Sequence, residues 1–166
     1  DLTDFEEMFK EYNNIQEKQI LEMPEGFVSL CNKDLPMDST DAFRYLSSRG
    51  IGRREILKWK IGYCKEGRYA GRIIIPSFDI EGDLNYFIAR SYVGHTRRYL
   101  NPPADRDLVF NELNIDWDEP VVLVEGVFDA IAAGSNAIPI LGSTLREGSR
   151  LFQAIAIHDT PVYMAL

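Results

Sequence analysis

Two acidic side chains stand where a short apolar run ends. Val121-Val122-Leu123-Val124 leads into Glu125-Gly126, and Asp129 follows four residues after Glu125. A continuous apolar run of this length suits a strand buried on both faces of a parallel sheet, and ligand sites in such sheets gather at the carboxyl ends of the strands. Gly126 permits a tight turn into a helix. The four-residue step then puts Glu125 and Asp129 on one helical face, one turn apart. Two hard oxygen donors at a strand end suit a Mg2+ or Mn2+ ion that also holds phosphates. The plainer alternative is that Glu125 only caps or charges a helix N-terminus, where an acid is favourable anyway. A hard-metal site usually takes more acids than two. None follows the next strand, which ends in Leu141-Gly142-Ser143-Thr144, so further acids are expected only after a third strand, where the chain reaches Leu166.

The second chemical signal is charge. The formal net charge of the 166 residues is −8, which by itself argues against a nucleic-acid partner. The distribution reverses that impression: residues 1–43 carry a net −8, residues 44–106 a net +7 and residues 107–166 a net −7. Phosphate binding follows local cation density, because each neutralised phosphate releases counterions whatever the far side of the molecule carries. A solvated basic face is the competing reading.

Other residues carry less. Cys31 and Cys64 form neither a disulfide framework nor a zinc pair, and read as small buried residues in a reducing, cytoplasmic setting. His95 and His158 lack metal-ligand spacing and read as solvated or structural. Trp59, Trp117, Tyr86 and Phe87 read as packing residues, with Tyr63 and Tyr99 as the candidates for base stacking in a basic groove. The longest apolar runs fall far short of the roughly 20 residues that span a bilayer, and the acidic opening, Asp1 to Glu7, is no signal peptide.

These groups have to be positioned by a mixed α/β framework. Residues 3–21 have the apolar spacing of an acidic helix (Phe5, Met8, Tyr12, Ile15, Gln19), stopped by Pro24-Glu25-Gly26. Residues 27–38 read as an irregular connector. Helices over 41–48, capped by Ser39 or Thr40, and over 53–60 form a basic hairpin. Strands follow at Gly71–Phe78 and Leu84–Tyr92 around an Asp79–Asp83 turn, with a third strand at Arg97–Leu100. After an acidic linker, strand Val121–Val124, helix Val127–Ala133, strand Ala137–Leu141, helix 146–157 and strand Pro161–Leu166 alternate as in a doubly wound parallel sheet. Three segments result: 1–38, an acidic helix and connector; 39–119, a basic α+β region; and 120–166, a parallel α/β region.

The ordered motifs resemble a known family. Val121 to Ala130, followed by Asn136 to Ser143, is similar to the first half of a TOPRIM fold, and more closely to the catalytic core of bacterial-type (DnaG-like) primases and their phage relatives. The likeness runs upstream through Tyr45-Leu46-Ser47-Ser48-Arg49-Gly50-Ile51, Ile61-Gly62-Tyr63, Gly71 to Pro76, Ala89-Arg90-Ser91 and Arg98-Tyr99-Leu100-Asn101-Pro102, and so covers residues 40–166. The resemblance implies an α/β fold and template-directed synthesis of short RNA primers on single-stranded DNA. It implies that Glu125 is the catalytic glutamate, metal-linked or acting as acid–base in phosphoryl transfer, and that Asp129 is the metal-site acid one turn later. It also implies that Arg72, Arg90, Arg98, Tyr99 and Asn101 line a groove for template and nucleotide. Implied partners are single-stranded DNA, nucleoside triphosphates, a replicative helicase and a C-terminal fragment completing the TOPRIM fold; the implied cofactor is Mg2+ or Mn2+, with no zinc.

Three departures accompany the likeness. The Asp-x-Asp pair of a TOPRIM site is absent, no zinc-binding module precedes the core, and the segment Val109-Phe110-Asn111-Glu112-Leu113 lacks the family's lysine. The expectation is therefore a fragment, incomplete for catalysis. The rival expectations are a non-catalytic, primase-like module that binds single-stranded DNA, and another TOPRIM enzyme such as a nuclease or topoisomerase.

Overall fold

The computed structural model describes residue 4, residues 18–142 and residues 145–166. Its first layer is a four-stranded antiparallel sheet in the order β1-β2-β3-β4, with β1 at Phe27–Ser29, β2 at Gly62–Cys64, β3 at Arg72–Phe78 and β4 at Leu84–Ser91. The centre is the β3–β4 hairpin, paired from Arg72↔Ser91 to Ser77↔Tyr86 before the register shifts at Phe78. Its turn closes as expected: Asp79 N–H donates to the Asp83 carbonyl at 2.9 Å, and the Asp79 carboxylate accepts the N–H groups of Glu81 and Asp83. The β-branched run Ile73-Ile74-Ile75 suits a strand buried on both faces. Ile73 and Ile75 join Tyr86 and Ile88 on one face, whereas Ile74 joins Phe87 and Ala89 on the other.

Helices α1 (Ser39–Ser48) and α2 (Arg53–Trp59) close the first of these faces through Ala42, Leu46, Ile56 and Trp59. The same cluster takes in Val124, Val127, Ala130 and Ile131 from the C-terminal region. The basic and parallel regions thus share one core.

The C-terminal layer is a parallel sheet in the order β6-β5-β7: β5 at Val121–Val124 lies between β6 (Ala137–Pro139) and β7 (Val162–Ala165). Helix α3 (Val127–Ala133) packs on the face that carries Val124. Helix α4 (Arg150–His158) packs through Leu151 and Ala154 on the face that carries Val121 and Leu123. A central first strand with helices on opposite faces is the doubly wound arrangement that the alternating pattern implies.

Several boundaries differ from the sequence reading. The connector 27–38 contains β1, and β2 was also unread; three-residue strands show no period. Arg97–Leu100 is no strand but a single bridge, Arg90↔Tyr99. Ser39 and Thr40 lie inside α1, whose N-cap is Asp38. Helix α4 starts only at Arg150, because the Ser149 hydroxyl caps it by accepting the Phe152 N–H at 3.3 Å. Strand β6 ends at Pro139, shortly before Leu141 and Gly142 turn into the left-handed region. Of the helix expected over 3–21, most lies outside the described residues, and Lys18–Leu21 is not helical: Leu21 N–H pairs instead with the Leu84 carbonyl at 2.7 Å.

The two thiols are inequivalent. Cys64 is fully buried, and burial pushes its thiol up to about 12, whereas Cys31 is half-buried. Cys31 therefore departs from the buried reading. The thiolate is the reactive form, so at pH 8 Ellman's reagent is expected to titrate one thiol of the native chain promptly and the second only after denaturation. Two fast thiols would contradict the burial of Cys64. Among the described residues no helix is long and apolar enough to cross a membrane.

Candidate nucleic-acid interface and acidic strand end

An open groove of about 610 Å³ lies where α1 meets the end of β4; Tyr45, Arg90, Ser91, His95, Thr96 and Arg98 are among the residues lining it. The segment 93–98 forms one wall and is held from below. Arg72, only 4% exposed, donates from Nη2 to the Arg97 carbonyl at 2.8 Å and from Nη1 to the Arg98 carbonyl at 3.1 Å. Its guanidinium titrates below the usual range because it is desolvated and because Arg97 lies near. The Ser91 hydroxyl meets both the N–H and the Nδ1 of His95, and Ser91 N–H donates to the Arg98 carbonyl. With its carbonyls pinned inward, the segment leaves the side chains of Arg97 and Arg98 exposed.

The five groove residues named by resemblance therefore separate. Arg90, Arg98 and Tyr99 come together at the surface, the Arg90 guanidinium standing 4.8 Å from the centre of the Tyr99 ring, a cation–π distance. Arg72 and Asn101 are occupied by backbone: Asn101 Oδ1 accepts the Ala89 N–H at 3.2 Å. Arg72 thus holds the wall from within, and Asn101 Oδ1 is committed to β4. Charged hydrogen bonds contribute about 1.5–3 kcal/mol, so Arg72→Ala is expected to destabilise the chain by about 2 kcal/mol and to raise amide exchange selectively over residues 92–98. Uniform exchange after the substitution would contradict the clasp.

Sequence reasoning missed three partners. The Tyr45 hydroxyl accepts the Nε–H of Arg90 at 3.0 Å and that of Arg49 at 3.2 Å. The Arg49 guanidinium lies 4.6 Å from the Phe128 ring in the first turn of α3. The i,i+4 spacing of Tyr45 and Arg49 is visible in the sequence, but no linear signal connects them to Arg90 or Phe128. Tyr63 is removed as a stacking candidate, since it is fully buried with its hydroxyl donating to Asp38 Oδ1 at 2.6 Å. Trp59, Tyr86 and Phe87 are core residues, and Trp117 stacks on His158 at 4.9 Å with the rings nearly parallel.

At the strand end, Glu125 is exposed and leads into Gly126, the N-cap of α3. Asp129 Oδ2 accepts the Gly126 N–H at 3.2 Å, the reciprocal half of a capping box. The helix-cap role considered for Glu125 thus falls to Asp129. Among the described residues no three acidic, histidine or cysteine side chains gather at one metal position. Glu125 precedes the extended N-cap Gly126 and so stands outside α3, not on one helical face with Asp129 as the four-residue spacing suggests. Both are exposed oxygen donors at the end of β5, of the type that suits Mg2+.

No family model matches the chain. A curated DNA primase of Thermotoga maritima is 26% identical over 153 residues, an alignment covering 64% of this chain and 27% of that protein; the chain spans about a quarter of its relative's length. Among solved structures, the DnaG primase catalytic domain bound to ssDNA superposes with a TM-score of 0.63 at 19% identity, over 78% of this chain and 56% of that one. A DNA primase domain from Pseudomonas aeruginosa gives 0.64 at 18% identity, over 80% and 55%. The E. coli primase catalytic core gives 0.63 at 20% identity, over 78% and 56%. The antiparallel sheet, the three-stranded parallel sheet and the motif order together give this chain the fold of the DnaG-type primase catalytic core.

Proposed function

We propose that this chain is part of the catalytic core of a DNA primase, and that the groove between α1 and the end of β4 holds the phosphodiester backbone of a single-stranded DNA template. The observation that carries the reading is Arg90 laid on Tyr99 beside the exposed Arg98, in the one stretch of the chain with a net positive charge. Cations that displace condensed counterions supply affinity without sequence preference, and an exposed aromatic face adds base stacking. In this reading Glu125 and Asp129 hold a Mg2+ or Mn2+ ion at the end of β5. The ion when bound would orient a nucleoside triphosphate and neutralise developing charge. Glu125 supplies a full carboxylate unencumbered by any partner among the described residues; Asp129 supplies one oxygen while the other holds the turn. The arginines fix the template strand.

The test is binding of fluorescein-labelled oligothymidylate by anisotropy over a salt series. The chain is compared with the Arg90→Ala/Arg98→Ala double variant. Each cation lost from a single-strand contact lowers the salt slope by about 0.7. The double variant should therefore bind roughly 10- to 50-fold more weakly near 0.1 M salt, with a slope shallower by about 1.4. Equal binding by the two proteins, or none by the folded chain, would overturn the template groove.

A second reading, a primase-like module that binds single strands without catalysis, is favoured by one observation: a carboxylate oxygen of Asp129 is committed to capping α3. It shares the groove but requires nothing of Glu125.

A further inference from the structure

We propose that Tyr45 is a positioning residue of the groove: its hydroxyl holds Arg49 and Arg90 side by side, so that both present their remaining N–H groups to one phosphate-bearing ligand. The inference rests on the groove reading above and names the side chain that organises it.

The argument is one of hydrogen-bond capacity. A phenol hydroxyl both donates and accepts. The Tyr45 oxygen accepts twice, from Arg90 Nε–H at 3.0 Å and from Arg49 Nε–H at 3.2 Å. Bonding through Nε leaves the two terminal nitrogens of each guanidinium, the fork that matches phosphate oxygens, unused by any partner among the described residues. Each guanidinium also stands against an aromatic ring, Arg90 at 4.8 Å from Tyr99 and Arg49 at 4.6 Å from Phe128.

Charge makes the arrangement informative. Two guanidiniums drawn to one neutral oxygen repel each other, and the usual relief is a carboxylate. Arg44, on the same helix, has one in Asp41. Among the described residues neither Arg49 nor Arg90 has an ion-pair partner. The pair is thus held together by a neutral acceptor with its positive charge uncompensated, an arrangement that an incoming oxyanion relieves. Freezing a free arginine side chain costs up to about 2 kcal/mol. Tyr45, rooted in α1, removes part of that cost before the ligand arrives, which is preorganisation. Arg49 also reaches the first turn of α3, so Tyr45 ties the groove to the strand end that carries Glu125.

The decisive variant is Tyr45→Phe, which removes the shared oxygen and keeps the ring. Two probes separate the sources of phosphate: a 15-residue oligothymidylate and inorganic tripolyphosphate. The expected result is a roughly 5- to 10-fold loss of affinity for at least one probe, because part of the cost of ordering the two arginine side chains then falls on binding. The salt slope should be unchanged, because no cation is removed. A merely structural role would shift the thermal midpoint, which should stay in place. Against an Arg49→Ala/Arg90→Ala background, the added Tyr45→Phe should cost nothing further, since its effect passes through those two side chains. In the free protein, the arginine Nε–H resonances of both residues should lose their protection from exchange in the variant. Loss with tripolyphosphate alone would assign the cradle to a nucleotide, and loss with oligothymidylate to the strand; either supports the proposal. Affinity within twofold for both probes, or an equal loss in the double-alanine background, overturns it while leaving the groove intact. No binding of either probe by the folded wild-type chain overturns the groove and the proposal together.

Discussion

Glu125→Gln is expected to lower primer synthesis by the full-length protein about a thousandfold, the scale on which a positioned charged group acts in catalysis, while single-stranded DNA binding stays within twofold. The substitution keeps shape and removes one negative charge. Glu125 is exposed and has no partner among the described residues, so little in the fold depends on it. The only structural loss is a favourable charge near the start of α3, worth about 0.3–1 kcal/mol. Stability and template binding are therefore separated from catalysis in this variant. Asp129→Asn would not separate them, because Asp129 also caps α3 through Gly126, and capping losses run to about 1 kcal/mol. Primer synthesis at the wild-type rate by Glu125→Gln would reject the catalytic role of Glu125, whereas single-strand binding without any synthesis by the wild-type protein would favour the binding module.

Ser77→Ala is expected to destabilise the chain by about 2–4 kcal/mol, seen as a lower urea midpoint with an unchanged slope. Ser77 is fully buried near the end of β3. Its hydroxyl donates to Asn85 Oδ1 at 2.7 Å and accepts the Asn111 N–H at 2.7 Å. The Asn111 side chain in turn accepts the Phe78 N–H at 3.3 Å. This knot ties the hairpin to the segment that leads into β5, and Asn111 sits in the left-handed region at φ +57° to make the connection. Alanine leaves an acceptor and a backbone donor buried without partners, each costing about 1–3 kcal/mol. The loss exceeds that of deleting an isolated pair because the bonds reinforce one another. A cost below 1 kcal/mol would mean that water enters and takes over the hydroxyl's bonds, so that the knot is not dry.

Much of the framework was legible in the residues. Helix α3 falls on Val127–Ala133 as read, and β5, the β3–β4 hairpin and the alternation behind the parallel sheet were all visible. Each depends on an apolar run or on turn chemistry confined to a few consecutive residues. The short strands β1 and β2 were illegible because three residues carry no period; they exist because the edge of β3 and the Phe27 ring above Gly62 hold them. A Cβ at Gly62 would collide with that ring, a constraint visible only once the two segments are adjacent.

The candidate site divides along the same line. Composition along the chain determined where the positive charge is concentrated, and the apolar run before Glu125-Gly126 determined that an acid stands at a strand end. Both are local properties, set by neighbours in sequence. Tertiary packing decided what each side chain is free to do. It buried Arg72 and gave its donors to the carbonyls of Arg97 and Arg98, and it bound Asn101 to Ala89. It also carried Tyr45, Arg49, Arg90 and Phe128, spread over more than eighty positions, to one hydroxyl and its surroundings. A guanidinium in a linear sequence is only a charge. Whether it faces solvent or a backbone carbonyl depends on desolvation and hydrogen-bond supply, and these exist only after the chain has closed on itself.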